Sequence, residues 1–265
     1  MLHLSELCRF LDSFAPPILS EDWDNVGLLV GDANRQVQRV MTCLTITPAS
    51  CAEALSQEAD LIVAHHPLPF KPLRRLTTES TPGRLLLELI QSGIAVYSPH
   101  TAFDSAARGI NQQLAEGIGL VDIRPLALCT ADAAANLGSG RCGKFAEPLP
   151  LKEVSKRLQT FLKIRGLHVV GPSDATISTA AVACGSGGSF LEHAIAQSID
   201  LLITGEASFH TCLEAEANGM SMLLAGHFAS ERFAVERLAE VIAKEFPQLA
   251  VWTSADEADP LRWES

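Results

Sequence analysis

Six short apolar runs, none longer than seven residues, set the terms on which this chain can fold. They are Val40–Ile46, Asp60–Ala64, Gly93–Tyr97, Ile177–Ala183, Asp200–Ile203 and Met220–Ala225. Apolar side chains at successive positions over so few residues suit strands buried on both faces. Segments with helical spacing lie between and after them: Ala49–Ala59, Arg84–Gln91, Ile110–Glu116, Phe190–Gln197 and Arg232–Lys244. Short buried strands alternating with amphipathic helices predict an α/β fold with largely parallel pairing.

The chain has 265 residues, enough for one large domain or two of ordinary size. Leu126–Pro150 collects small residues and turn formers, Ala133–Ala135 and then Gly138-Ser139-Gly140-Arg141-Cys142-Gly143, before ending in Glu147-Pro148-Leu149-Pro150. Read as a boundary, it gives a first α/β domain over 1–126 and a second over 127–265, with the final segment able to pack back on the first. The other reading is a loop within one domain. Internal similarity favours two units. Asp60-Leu61-Ile62-Val63 matches Asp200-Leu201-Leu202-Ile203 at an offset of 140, and strands opened by Gly93 and Gly219 lead to His100 and His227 at an offset of 127. A loop longer by 13 residues in the first half accounts for the difference, so the pattern reads as two copies of one βαβ unit.

Composition removes several function classes. With 47% hydrophobic and 19% charged residues the chain has a globular balance, not that of a disordered or collagenous one. Twenty Lys+Arg against 31 Asp+Glu leave a net charge of −11, which argues against nonspecific nucleic-acid binding and anionic membranes. No stretch approaches the ~20 apolar residues of a membrane helix. Glu6, Arg9 and Asp12 interrupt the amino-terminal segment, which therefore lacks the apolar centre of a signal peptide. The seven cysteines are scattered without a CxxC pair, as expected for reduced thiols in the cytoplasm.

The histidines carry the chemical signal. His65 and His66 follow one apolar run directly and precede Pro67, at the carboxyl end of a strand where open α/β sheets bind ligands. Adjacent imidazoles on extended backbone point apart, so they suit two neighbouring ions better than one; a turn with one imidazole capping a helix is the plainer alternative. His100 and Asp104 stand four residues apart after the next strand, and His227 and Glu231 repeat that spacing in the second half. Four residues put both side chains on one helical face. Either pair alone reads as a helix-entry hydrogen bond rather than a metal site. Together, three strand ends bearing imidazole and carboxylate suit a borderline divalent ion.

Other features are weaker. Cys184-Gly185-Ser186-Gly187-Gly188-Ser189 suits either an anion held by backbone N–H groups or a tight strand-to-helix turn, and matches neither a Walker loop nor the dinucleotide fingerprint. Glu206 and His210, after a strand end equivalent to that of His65-His66, read as groups supporting a ligand or touching substrate. His3, His168 and His193 read as surface or packing residues. There is no GxSxG elbow for a nucleophilic serine.

In these residues the chain resembles the YbgI-like family, also described as NGG-one-interacting-factor-three-like proteins or GTP cyclohydrolase 1 type 2 homologues. The resemblance is carried by Glu21–Leu28, by Ala64–Leu68 with Phe70, by His100–Asp104, by Gly138–Gly143, by Cys184–Gly188, by Thr204–Glu206, and by Gly226-His227 with Glu231. It implies two similar α/β domains with a dinuclear metal site in the cleft between them. On that resemblance His66 and Asp104 hold one ion, His65 and His227 the other, and Glu231 bridges both. The ions are divalent (Zn, Fe, Mn, Ni or Co), and the proteins assemble as homohexamers. The chain departs from the family in having Ala102 where many relatives have Asn, and Thr45 where relatives often have Asp, which removes polar groups from the expected substrate region.

The activity implied is metal-dependent hydrolysis, opening the imidazole ring of GTP with release of formate. His100 and Glu206 are then the candidates for proton transfer, each beside the ligands without being one. For the phosphates of such a nucleotide the sequence offers Arg141, Lys144 and the glycine turn at Gly185. The alternative is a non-enzymatic metal-handling or regulatory role.

Overall fold

The apolar runs end where the chain meets residues that cap helices or break strands. The structure is a computed structural model and describes residues 2–128 and 138–262. Cys129 and Ala133–Ala135, noted above, lie outside the described residues. In chain order the first elements are β1 (Leu2–His3), α1 (Leu4–Phe14), β2 (Gly27–Val30), β3 (Gln36–Val37), β4 (Arg39–Cys43), α2 (Pro48–Ser56), β5 (Leu61–Ala64), α3 (Thr81–Gln91) and β6 (Ala95–Ser98). There follow α4 (His100–Ser105), α5 (Ile110–Gly117), β7 (Val121–Arg124), β8 (Ala127–Leu128), β9 (Gly138–Ser139), β10 (Arg141–Pro150), α6 (Leu151–Leu162), β11 (His168–Val170) and β12 (Thr176–Ala183). The last are α7 (Leu191–Ala196), β13 (Leu201–Thr204), α8 (Phe209–Ala217), β14 (Ser221–Leu224), α9 (His227–Glu245) and β15 (Ala250–Thr253). Thr47 shows why the first run stops. Its side chain accepts from the N–H of Ser50 and closes a capping box on α2, with Pro48 at the first helical position.

The chain divides into two units, Met1–Phe103 with Ala234–Ser265, and Asp104–Phe233. The expected division at 126/127 falls inside the second of these. In the first unit a five-stranded sheet runs β15-β4-β5-β6-β2, and only the β2–β6 pairing is antiparallel. In the second unit a six-stranded sheet runs β11-β14-β13-β12-β10-β7, and only β12–β13 and β13–β14 are parallel. The fold is therefore mixed α/β, and largely parallel pairing holds for the first sheet alone. The correction comes from β10, which lies in the segment read from sequence as turn-rich. Its one glycine serves strand packing: a Cβ on Gly143 would meet the Val121 carbonyl oxygen at 2.7 Å, so the missing side chain lets β7 and β10 pair.

Alternation within the parallel strands fills two core layers in the second unit. Ala180, Val182, Leu201, Ile203 and Leu223 pack with α5 and α6 through Leu114, Val154 and Leu158. The intervening Ala181, Leu202, Met222 and Leu224 pack with α7 and α8 through Leu191, Ala194 and Ala215. In the first unit Met41, Cys43, Ile62, Ala64 and Val96 meet α2 and α3 through Cys51, Ala54, Leu85, Leu86 and Leu89. Side chains pointing to opposite faces at each step explain why such strands read as continuous apolar runs.

Each parallel triplet has the same register. Val40 pairs with Leu61 and Ala180 with Leu201 (180 − 40 and 201 − 61, both 140); Leu61 pairs with Ala95 and Leu201 with Ser221 (221 − 95, or 126). The aspartates opening the central strands repeat as well. Asp60 accepts from the backbone N–H groups of Gln38 and Arg39, at 2.8 and 3.0 Å. Asp200 accepts from those of Ser178 and Thr179, at 2.8 and 2.9 Å, again 140 residues on.

The first unit closes through Glu53 of α2, which is buried and accepts from Ser254 Oγ (2.6 Å), the N–H groups of Ala255 and Asp256, and Trp252 Nε1. Burial opposes its ionisation, but these four donors outweigh burial and hold the carboxyl below its ordinary range. A carboxyl with a depressed folded-state pKa contributes stability above its unfolded-state pKa and loses it as pH falls through the folded one. Glu53→Gln is expected to destabilise the chain at pH 7 and to remove part of the stability loss seen in acid, which urea titrations at pH 7 and pH 3.5 will read.

Candidate functional site

In the first unit the chemistry gathers at the carboxyl ends of β4, β5 and β6. The N–H of His65 donates to the Cys43 carbonyl and that of His66 to the Leu44 carbonyl, so the two residues continue the parallel pairing one step beyond β5. Ser98 Oγ donates to the His65 carbonyl oxygen at 2.6 Å and fixes the same backbone from the β6 side. His100 opens α4 with φ +26°, a conformation a side-chain-bearing residue adopts only when its surroundings hold it there. What holds it is Asp24: His100 Nδ1 lies 2.7 Å from Asp24 Oδ1, and the Thr101 N–H and hydroxyl donate to Asp24 Oδ2. Burial works against the Asp24 charge, yet the bonds from His100 and Thr101 prevail and lower its pKa to about 2.

One nitrogen from each of His65, His66 and His100 lies within 4.8 Å of the others. His65 is buried at 1% exposure, and the His66 Nδ1 atom is 2.7 Å from Thr45 Oγ1. Thr45, which the sequence reading treated as the loss of a carboxylate, supplies a hydroxyl that orients His66. Ala102 is buried within α4, a packing position. Three imidazoles, two of them oriented through Nδ1, form a donor set of the type that borderline divalent ions take.

The second unit presents carboxylates. Glu231 is buried, and one of its oxygens lies within 4.8 Å of an Asp104 oxygen. His227 stands between two acids: Nε2 is 3.2 Å from Glu231 Oε2 and Nδ1 is 3.0 Å from Glu206 Oε1. The bond to Glu231 chiefly, against burial and with help from Glu206, raises the His227 pKa to about 9. Glu206 also accepts from Ser186 Oγ at 2.6 Å, and its carboxyl is lowered by His227 and Ser186. Cys184 Sγ lies 3.3 Å from Asp104 Oδ1, and burial, then the charges of Asp104 and Glu231, push its thiol far up. Two acids in one small space raise the affinity of every neighbour for a proton. The same field favours a metal cation.

Backbone geometry keeps that space open. Gly185 has φ +58°, and a Cβ there would collide with Glu231 Oε1. At Gly205 a Cβ would lie 2.6 Å from both the Gly185 carbonyl oxygen and Ser230 Oγ. Only glycine fits either position.

The expected phosphate groups are otherwise engaged. The N–H groups of Cys184, Gly185 and Gly187 donate to Asn111 Oδ1, Ser230 Oγ and Thr204 Oγ1, so the glycine turn is a strand-to-helix turn and no anion cradle. Lys144 is exposed and paired with Asp122 at 2.6 Å. Arg141 is 3% exposed and spends all five donors inside the unit: Nε on Gln112 Oε1, Nη1 on the Gly138 and Gly140 carbonyls, Nη2 on those of Ser105 and Ala106. His210 lies on the exposed first turn of α8 beside Phe209. His3, His168 and His193 are exposed. The orienting partner Asp24 carried no signal of its own in the sequence, because its bond to His100 spans 76 residues.

Removing the Arg141 fork takes a donor from four buried carbonyls, of which that of Ala106 keeps the Gly109 N–H. Arg141→Met is expected to cost on the order of 3 kcal/mol or more, and Arg141→Lys, with three donors in a different geometry, to recover only part of it. Chemical denaturation of the full chain checks both.

Comparison with known proteins bears on the chain as a whole. The profile of Duf34/NIF3 (NGG1p interacting factor 3) matches residues 2–260. NIF3-like protein 1 of Drosophila melanogaster is 35% identical over 265 residues, covering 97% of this chain and 88% of that protein. A Clostridium acetobutylicum protein named GTP cyclohydrolase 1 type 2 homolog is 34% identical over 230 residues, covering 87% and 85%. Among solved structures, a Staphylococcus aureus protein superposes with TM-score 0.89 at 24% identity over 99% of both chains, which establishes the fold. One from Thermus thermophilus gives 0.79 at 28% identity over 98% of this chain and all of that one.

Proposed function

The chain belongs to the Duf34/NIF3 family, and from that premise we propose that it is a dinuclear divalent-metal protein with hydrolytic chemistry of the GTP cyclohydrolase 1 type 2 kind. The observation that carries this reading is the crowding of acids in the second unit, where Asp104 and the buried Glu231 approach within 4.8 Å beside His227. Without a cation such an arrangement repels itself. His65 and His66 of the first unit supply donors that complement those acids in type. The ligand set is His65, His66, Asp104, His227 and Glu231, with Glu231 common to both ions. Several relatives bear the name GTP cyclohydrolase 1 type 2 homolog, which favours purine ring opening over other hydrolyses.

When bound, a pair of divalent ions lowers the pKa of water and stabilises developing oxyanions. The protein's own residues do the rest. Asp24 holds His100 through Nδ1, so the Nε2 atom is the one that exchanges a proton with water or with the opening ring. Glu206 holds the His227 ring through Nδ1 and strengthens its other nitrogen as a donor to the metal, so Glu206 acts by positioning. Among the described residues no helix is long and apolar enough to cross a membrane. From the family resemblance and the scattered cysteines we further propose a cytoplasmic homohexamer.

Protein loaded with Mn²⁺, Zn²⁺ or Fe²⁺ is expected to release formate from GTP and to lose that activity on Glu231→Gln. By elemental analysis, Asp104→Ala should lower occupancy of one ion and Glu231→Gln that of both, while Glu206→Gln should weaken metal affinity by about 10- to 100-fold. Equal losses from Asp104→Ala and Glu231→Gln would remove the shared role of Glu231. Two bound ions with no turnover on any of the three metals would favour the metal-handling role.

A further inference from the structure

Two large aromatic side chains stand in solvent beside the imidazole trio of the first unit. Trp23 is 62% exposed and Phe70 45% exposed, far above the burial usual for such residues. Their ring centroids are 6.0 Å apart, and they lie 6.0 and 5.9 Å from the ring of His100. The interplanar angles are 61°, 76° and 82°, so the three rings meet edge to face and none is stacked upon another.

The chain beside both aromatics is tied down. Asp24, next to Trp23, is bonded to His100 and Thr101, and Asn25 Nδ2 donates at 2.9 Å to the carbonyl of Pro69, which precedes Phe70. Apolar side chains carried on a backbone held in this way need less ordering to take a ligand.

Charge supplies the second, independent observation. The protein carries −11 overall, yet Lys71, Arg74 and Arg75 follow Phe70 within five residues. All three are exposed, and among the described residues none takes part in an ion pair or hydrogen bond. A cationic cluster of this kind, in an acidic chain, offers phosphate or carboxylate oxygens a local partner.

We propose that this face is a ligand-recognition site in which a planar heteroaromatic ring packs in the corner between Trp23 and Phe70, face to one and edge to the other, and its phosphate-type anionic tail lies on Lys71, Arg74 and Arg75. The proposal rests on the metal-dependent reading of the neighbouring histidines for its purpose, since it would hold the ring beside His65, His66 and His100. Its residues include none of the proposed ligands. They also replace Arg141, Lys144 and the Gly185 turn, whose donors are spent elsewhere.

The test is equilibrium binding to the full-length chain, by calorimetry and by quenching of tryptophan emission, with GTP, guanosine and inorganic triphosphate as probes. Trp23→Ala and Phe70→Ala should each weaken GTP and guanosine by about 10-fold and leave inorganic triphosphate unchanged, whereas Trp23→Phe should recover most of the affinity. The triple variant Lys71→Gln, Arg74→Gln, Arg75→Gln should weaken GTP and inorganic triphosphate, spare guanosine and flatten the salt dependence. All these variants should keep the metal content of the unmodified protein. Binding by the aromatic variants equal to that of the unmodified chain, or no binding of GTP at millimolar concentration, would overturn the proposal. Loss of the metal reading would appear separately, as unchanged ion content in His65→Ala and Glu231→Gln.

Discussion

The carboxylates of Asp60 and Asp200 fix the registers on which every candidate functional residue depends. Each stands at the amino end of a central parallel strand and grips two N–H groups of the strand beside it. A parallel pair has no hairpin to set its alignment, so a polar contact at one end has an effect along its whole length. Five and six residues further on, that alignment decides which side chains emerge at the carboxyl edge: His65 and His66 in one unit, Gly205 and Glu206 in the other. The loops there are free to differ because the opposite ends are alike.

The two edges have complementary chemistry. The first presents imidazoles oriented by neutral or anionic partners, Thr45 and Asp24. The second presents acids, and one imidazole whose proton affinity those acids raise. Neither set is a common way to finish a strand, since clustered buried charge lowers stability unless something offsets it. Gly185 shows that space is reserved for the Glu231 side chain, and Gly205 that the turn beneath it leaves no room for a Cβ.

Much of this was legible in the sequence, and the exceptions have physical causes. The parallel strands were readable because burial on both faces leaves a continuous apolar run. His65, His66, His100 and His227 were readable because they follow such runs directly. β10 was not, because Gly143, Pro148 and Pro150 are of the types that elsewhere mark turns, while here the glycine permits close strand approach and the prolines lie at or beyond a register shift. Arg141 resembled a phosphate group because sequence gives residue type and not burial; the fold encloses it and uses every donor. Thr45 read as a deletion, though its hydroxyl sits on His66. Local pattern does not encode pairings that span tens of residues, and Asp24 with His100 is one.

The order of the units along the chain has a consequence for how the protein is born. The second unit is one uninterrupted stretch, while the first awaits β15, whose strand pairs with β4, and Glu257, which accepts from the N–H groups of Leu44 and Thr45 at 2.8 and 2.5 Å. A chain emerging from the ribosome can therefore complete its second unit before its first, reversing the usual amino-to-carboxyl order of folding. Thr45, and through it the ring of His66, gains its final anchor only once Glu257 has been made. A nascent chain thus leaves the setting of His66 incomplete until its second unit has been synthesised.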